Sequence, residues 1–508
     1  MPAAHRPSLT LLAAFAGLKL AVQLAFVRGY GWFRDEFYYL ACSHRLDFGY
    51  VDHPPLSIWL LAGWRSLFGD SLVATRIPPA LAGAATVAVV GWIAARLGGD
   101  RRAQALAMAS AVALPLWLGT NHVYSMNAFD MLFWALAAAI LVELLRTDRP
   151  PLRLWVALGV VLGLGLLNKI SVLWLGFGIA AGLLLTARRR ALTTPGPWVT
   201  GAIAAALFAP YVLWNAAHDW ATLEFIEQAT STKMAGKSVA EFAVDQLFAT
   251  GLLPVVIWGT GLVWLFAARG GRFRLLGWVW LAVFGLLAFS GTSRSGYLGP
   301  AYTWLLAAGA VGLVERLGRR GVLAWGLAAL ILAWGALLAP LALPVLPVER
   351  YVEYARAFGE EPSTEERKEV GVLKQFYADM HGWHRIVDAV EEAAATLTSA
   401  ERERAIVFAG NYGVAGALER LGRGRDLPPA FSGHNNYWMW GPPDHPVDVV
   451  IVVGGDAEDH ARNWDSVDRV TETDCGLCMP YENGNGVFVL RGRSHPVGEI
   501  WSTVRHYD

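Results

Sequence analysis

Charge is what this chain has least of. Only 17% of its 508 residues are Asp, Glu, Lys or Arg, against about a quarter in an ordinary soluble protein, which excludes an array of soluble domains as the main architecture. Cysteine is also scarce, at three residues. Cys475 and Cys478 have the spacing of a local disulfide; a zinc site there would need two further ligands that the neighbourhood does not announce. Cys42 reads as a free thiol. The net charge is zero, but it conceals a split: residues 1–345 carry a balance of +11 and residues 346–508 one of −11. No basic face accompanies the acidic part, so nucleic acid is excluded as a partner.

Apolar residues make up 55% of the chain, with 23 tryptophans, a residue enriched at membrane–water boundaries. A helix needs roughly 20 apolar residues to cross a bilayer. Such stretches recur at about 8–27, 73–96, 103–120, 127–145, 152–168, 170–187, 198–215, 247–268, 275–291, 299–315 and 321–341, eleven in all. Arginines crowd alternate connections: Arg96/Arg101/Arg102, Arg146/Arg149/Arg153, Arg188/Arg189/Arg190, Arg269/Arg272/Arg274 and Arg316/Arg319/Arg320. Basic residues in short loops stay cytoplasmic, so the other loops face outward and an odd span count places the acidic C-terminal part outside. The first stretch follows His5-Arg6 without a small-residue cleavage site and reads as an uncleaved anchor. Lys19 and Gln23 within it fit a buried partner or a snorkelling side chain better than a site.

The expected outer loops hold the polar chemistry. The first contains Arg34-Asp35-Glu36-Phe37-Tyr38-Tyr39 and then Tyr50-Val51-Asp52-His53-Pro54-Pro55-Leu56. Residues 36–46 and 56–68 fit helices lying at the interface, anchored by Tyr38, Tyr39, Trp59 and Trp64. Taken alone, Asp35 suits the N-cap of a helix starting at Glu36, and Asp52-His53 an ordinary turn before prolines. Asp130, in the first turn of the fourth span, could likewise be a helix-start acid. Lys169 falls between two apolar stretches with no evident neighbour, and Arg294 and Tyr297 lie in the loop before Pro300. Carboxylates and cations thus converge on one side of the membrane, which suits an anionic lipid head group meeting a second substrate there. The loop 216–246, with Lys233 and Lys237, is long enough for a lid, and equally suits an amphipathic connector.

Residues 346–508 alternate helical patterns with apolar β-branched runs at 405–409, 447–453 and 486–490, the pattern of an α/β domain with both sheet faces covered. Gly410, Gly413 and Gly416 do not have dinucleotide-fingerprint spacing and read as a turn and helix packing. The polar-aromatic run 432–441 fits a packed surface loop better than a sugar contact. No His/Asp/Glu cluster has metal-ligand spacing, so neither a metal nor another cofactor is expected.

The Asp-Glu pair, Tyr-Tyr and Tyr-Val-Asp-His-Pro-Pro-Leu resemble the bacterial branch of the protein-mannosyltransferase superfamily, glycosyltransferase family 39 and its relatives, including the lipid A aminoarabinose transferases. The resemblance extends through Gly163-Leu164-Gly165-Leu166-Leu167-Asn168-Lys169 and Gly296-Tyr297-Leu298-Gly299-Pro300-Ala301-Tyr302. It covers about residues 8–345, with further likeness in Gln375-Phe376-Tyr377-Ala378-Asp379 and Asn411-Tyr412-Gly413. It implies a polytopic GT-C fold of about eleven transmembrane helices (residues 1–345) with an extracytoplasmic α/β domain (residues 346–508). It also implies an inner-membrane enzyme that moves a sugar from a polyprenyl-phosphate donor to an outer lipid, glycan or protein. By this resemblance Asp35 is the catalytic carboxylate, with Glu36 beside it, and Asp130 is a second acid. Lys169, Arg294 and Tyr297 bind the lipid phosphate, with His53 and Tyr39 alongside. The chain departs from the family's pattern in carrying Arg294 where lysine is expected, although arginine grips phosphate in two-pronged fashion.

The chemistry agrees. An acceptor hydroxyl attacking an anomeric carbon must lose its proton, which calls for a carboxylate base. The departing phosphate needs fixed positive charge rather than an acid, and a single displacement would invert the anomeric centre. The rival readings are a transporter, disfavoured by spans with little midplane charge and no internal repeat, and an inactive anchor presenting a carbohydrate-binding domain.

Overall fold

The computed structural model describes residues 5–267, 271–493 and 497–508; Arg269 of the basic connections lies outside them. In chain order the helices are α1 (Leu9–Ala25), α2 (Arg34–His44), α3 (Leu56–Phe68), α4 (Leu72–Arg96), α5 (Arg101–Ala113), α6 (Pro115–Thr120), α7 (Met126–Arg146), α8 (Leu152–Asn168) and α9 (Val172–Leu184). They continue as α10 (Pro195–Ala217), α11 (Ala221–Gln228), α12 (Val239–Thr250), α13 (Leu252–Phe266), α14 (Arg274–Ala288), α15 (Tyr302–Leu317) and α16 (Leu323–Leu338). Each expected span overlaps helix, but 103–120 is shared by α5 and α6, and 247–268 runs across the bend between α12 and α13. Among the described residues, six helical stretches are long and apolar enough to cross a bilayer alone, and two bent pairs raise the number to eight. Helices α1 and α8 are apolar but shorter. The expected span 103–120 is divided at Pro115, which has no N–H to continue the ladder from α5 and instead opens α6 as its first residue. The chain is a polytopic helical membrane protein.

The basic connections meet at one end of the bundle. Arg96 forms a two-pronged pair with Glu143, at 2.5 and 2.8 Å, and Arg146 donates to the Arg96 carbonyl. Arg188 and Arg272 both donate to the Leu145 carbonyl at the end of α7. These arginines satisfy carbonyls that a helix C-terminus leaves open. Lys19 has a structural role: its Nζ donates to the Trp117 carbonyl at 2.9 Å, and Gln23 Nε2 to that of Leu118 at 3.0 Å, pinning α1 to α6.

The C-terminal part holds a five-stranded mixed sheet, β1 (Ala405–Ala409), β2 (Ala430–Ser432), β3 (Val449–Val453), β4 (Trp464–Glu472) and β5 (Gly486–Arg493), in the order β2-β1-β3-β5-β4. Strand β1 runs parallel to β2 and β3, while β5 is antiparallel to β3 and β4. The three apolar runs are β1, β3 and β5. Cys475 and Cys478 form a disulfide, and Cys42 is a buried free thiol.

One buried cluster joins Phe37, Tyr38 and Leu40 of α2 to Val387, Ala415 and Ile451 of the C-terminal part. The junction depends on two glycines of the helix Tyr412–Leu421. A Cβ at Gly413 would lie 2.7 Å from Arg34 Cγ, and one at Gly416 would lie 2.7 Å from Phe37 Cβ. The helix therefore docks on α2 at backbone distance, and this docking builds the site.

Candidate active site

The site starts with how α2 begins. The helix opens at Arg34 with Phe33 as N-cap, two residues earlier than a cap at Asp35 would require. The exposed cap amide is met by Glu36, whose Oε2 accepts from Phe33 N at 2.9 Å. Glu36 is fully buried, and its other contacts complete a lock: Arg76 of α4 donates from Nε at 2.9 Å and from a terminal nitrogen at 2.8 Å, and Tyr124 N donates at 2.9 Å. Four donors fill the four lone-pair positions of a carboxylate. Glu36 thus fastens the loop that begins α2 to α4 and to the loop before α7, and it has no oxygen left to take a substrate proton.

Asp35 is half-buried, and its Oδ1 accepts from the Tyr412 hydroxyl at 2.8 Å. Its second oxygen has no hydrogen-bond partner among the described residues. Arg34 lies below the same tyrosine, with its guanidinium carbon 4.7 Å from the Tyr412 ring centre, and donates to the Tyr481 hydroxyl at 2.8 Å. Burial works against that guanidinium, yet Tyr412, Tyr481, Asp379 and Glu482 hold its pKa above the ordinary value. Asp379 is raised to about 7, chiefly by burial, with Arg34 opposing and Asp35 adding to the rise.

The expected interfacial tyrosines are interior. Tyr38 lies with its hydroxyl 2.9 Å from Asp52 Oδ1 and 2.8 Å from Asn436 Oδ1, and Asn436 also accepts from Val51 N. Tyr39 accepts from Met126 N at 3.1 Å and stacks on His53 at 4.8 Å. His53 is enclosed by Tyr38, Tyr39 and Tyr50, with Nε2 3.8 Å from Asp52 Oδ1. These side chains lock the loop from within because their rings are more than nine-tenths buried, which a pattern of exposed anchors does not anticipate.

A second group forms where α7, α8 and α9 meet. Ser125 caps α7, leaving Asp130 free of capping; its Oδ2 accepts from Ser171 Oγ at 2.8 Å and lies 3.9 Å from Lys169 Nζ. Asp130 Oδ1 is buried without a hydrogen-bond partner. Lys169, expected to lack neighbours, donates to Asn127 Oδ1 at 2.7 Å and lies 4.9 Å from the Tyr297 ring centre. Arg294 pairs with Glu366 at 2.6 Å. Burial lowers its pKa, but Tyr297, Glu366, Glu365 and Asp35 outweigh that and hold the guanidinium charged. Tyr297 therefore stands between the two groups, in contact with Lys169 on one side and within electrostatic reach of Arg294 on the other.

Two cations with no expected site role, Arg34 and Lys233, join this group. Residues 233–235 are bonded to residues 365–367: Met234 bridges Glu366, Ala235 N donates to Glu365 O, and Arg367 N to Lys233 O. This pairing of loop 216–246 with the C-terminal part holds Lys233 among Arg34, Glu366, Asp508 and Arg294. Burial first, then Arg34, lowers its pKa. The only sequence signals were the 375–379 and 411–413 segments, which carry Asp379 and Tyr412.

Comparison with known proteins bears out the resemblance. Residues 52–214 match the family described as dolichyl-phosphate-mannose-protein mannosyltransferase. The chain is 26% identical over 285 residues to the lipid A galacturonosyltransferase RgtD of Rhizobium johnstonii, covering 54% of this chain and 59% of that protein. It is 31% identical over 141 residues to an undecaprenyl phosphate-alpha-4-amino-4-deoxy-L-arabinose arabinosyl transferase of Pseudomonas fluorescens, covering 27% of this chain and 25% of that one. The matches thus span well under two thirds of these curated relatives. Among solved structures, ArnT from Cupriavidus metallidurans in the apo state aligns over 94% of this chain and 97% of its own, with TM-score 0.64 and 16% identity. The same protein bound to undecaprenyl phosphate gives a TM-score of 0.60 at 13% identity, with the same coverage. The fold is that of these GT-C proteins.

Proposed function

From kinship with the GT-C glycosyltransferases of the protein-mannosyltransferase and aminoarabinose-transferase type, we propose that this chain transfers one hexosyl or pentosyl unit. The donor is a polyprenyl-phosphate sugar, and the acceptor is a hydroxyl of a lipid, glycan or protein on the outer side of the cell's inner membrane. One observation carries the reading: the half-buried carboxylate Asp35 lies within electrostatic reach of Arg294, and Lys233 within reach of both Arg294 and Arg34. Asp35 accepts the acceptor's proton as its oxygen bonds to the anomeric carbon. The bond from that carbon to phosphate breaks, and polyprenyl phosphate leaves as an anion toward fixed positive charge. Tyr412 orients Asp35 through its hydroxyl. Glu36 is a positioning residue acting through Arg76, and His53 and Tyr39 support the loop. Asp130 is the acid on the acceptor side, and its neighbour Lys169 joins Tyr297 and Arg294 in holding the donor phosphate.

In this reading residues 1–345 are the membrane catalytic part and residues 346–508 an outer α/β domain that completes the site. Purified protein given labelled polyprenyl-phosphate sugars should release polyprenyl phosphate and label an envelope acceptor. Uptake of a solute into proteoliposomes with no such release would replace this reading with a transporter. For orientation, a cysteine placed at the exposed Ser399 should be labelled from outside intact cells. Labelling only after permeabilisation would reverse it.

A further inference from the structure

The segment 504–508 is laid along residues 433–435. His434 and His506 form a parallel bridge, with Asn435 N donating to His506 O at 3.1 Å and His506 N to Gly433 O at 3.0 Å. The backbone thereby sets the two imidazoles side by side, ring centres 4.5 Å apart. Asp508 Oδ1 comes to 3.2 Å from His434 Nε2. One ligand atom from each of the three residues lies within 4.8 Å of the others.

Two features set this cluster apart from an ordinary satisfied pair. His434 is 3% exposed; its Nε2 lies 2.9 Å from the Asp508 carbonyl, while its Nδ1 and the buried Asp508 Oδ1 have no hydrogen-bond partner, where buried polar atoms are normally paired. His506 Nδ1 lies 3.1 Å from the Val504 carbonyl. Donation there fixes the tautomer and leaves Nε2 as a lone pair, the arrangement that metal-ligating histidines use. Tetrahedral zinc with bonds of 2.0–2.2 Å places its ligand atoms about 3.4 Å apart, close to the 3.2 Å between His434 Nε2 and Asp508 Oδ1. The ion would replace the Nε2 proton that faces the Asp508 carbonyl, and a small shift of the exposed His506 segment would bring in the third ligand.

We propose that His434, His506 and Asp508 form a divalent metal site of zinc type, with three protein ligands and a fourth position open to water. Two imidazoles and one carboxylate are a borderline donor set that suits zinc over magnesium or calcium. Arg34 and Lys233 repel a cation from the same side, so the Asp508 carboxylate is essential to offset them. The ion would clamp 504–508 onto 432–436. The His434 ring lies 4.6 Å from that of Tyr412, whose hydroxyl holds Asp35, so the clamp steadies Tyr412 and, through it, Asp35.

The test is metal content. Full-length protein in detergent, stripped with a chelator and then dialysed against limiting Zn²⁺, should retain about one zinc per chain. His506→Ala alters an exposed side chain and should keep the metal-free melting temperature, yet lose zinc affinity by at least about tenfold. Asp508→Asn should do the same, and zinc should raise the melting temperature of the wild type alone. No retained zinc in the wild type, or equal retention in both variants, would overturn the site. The readout is bound metal, so either result leaves the transfer reading untouched.

Discussion

Asp130 and Asp35 are two acids near the end of the bundle opposite the arginines, and they are served by very different lengths of chain. Asp130 draws its hydroxyl partner from Ser171, 41 positions away, and its cation from Lys169. Asp35 takes its hydroxyl from Tyr412, 377 positions away. Once α7, α8 and α9 pack, the Asp130 group is complete. The Asp35 group exists only after the helix Tyr412–Leu421 has docked on α2 through Gly413 and Gly416. The difference teaches that the membrane helices alone can assemble the Asp130 group, whereas Asp35 acquires its hydroxyl partner only from the C-terminal part. Docking and chemistry are therefore coupled at one acid and separable at the other.

The comparison can be broken most strongly beneath Asp35. Glu36→Gln leaves the fully buried Arg76 guanidinium opposite a neutral amide, at a cost of about 3–5 kcal/mol. Folded yield and melting temperature in detergent should fall steeply while turnover per folded molecule changes little. A well-folded variant with low turnover would instead make Glu36 a participant in the reaction. Next come the cations on either side of Tyr297. Removing a charge-assisted contact costs roughly 1.5–3 kcal/mol, so Lys169→Ala and Arg294→Ala should each weaken donor use about tenfold or more. Acceptor affinity should stay near normal in Arg294→Ala, and normal donor kinetics in both would remove them from the phosphate site.

Gly416→Leu sharpens the contrast, because overpacking the junction costs about 1–3 kcal/mol. It should loosen the C-terminal part, measured as faster hydrogen exchange of residues 412–421, and reduce transfer without disturbing the Asp130–Lys169 contact. Unchanged exchange with reduced transfer would mean that the glycine acts otherwise. The smallest effect concerns pH. Asp379 is raised to about 7, so folded protein holds a proton that unfolded chain releases. That stabilisation is complete below the ordinary carboxylate range and is lost as pH rises through 7. Asp379→Asn should flatten the melting temperature between about pH 5 and 8; an unaltered pH dependence would place the titration elsewhere.

Much of this architecture is local and therefore readable from sequence. Span length and arginine position depend on a residue and its near neighbours, so the eleven stretches find their helices and the arginines meet at one end. Strands β1, β3 and β5 are continuous apolar runs buried on both faces. Strand β2 has only three residues, and β4 is an edge strand whose Asp465, Asp468, Arg469 and Glu472 disguise it. Asp35 and Glu36 show where local reading stops. Both look like helix-start acids, and only the arrival of Arg76 and Tyr124 at one and Tyr412 at the other separates a lock from a reactive group. Tyr38 and Tyr39 have the pattern of interfacial anchors until residues 436 and 126 enclose them. His434, His506 and Asp508 have no ligand spacing along the chain, because a backbone bridge rather than a motif brings them together.

The central claim is that Asp35 serves the chemical step and not the binding of the donor or the fold. Its direct test compares wild type and Asp35→Asn in the same preparation, measuring donor binding, melting temperature and single-turnover release of polyprenyl phosphate in the presence of acceptor. The account predicts unchanged donor affinity, a melting temperature close to wild type, and release slowed by about 10²–10⁴-fold. Release at the wild-type rate from well-folded Asp35→Asn would contradict it and move the base to Asp130.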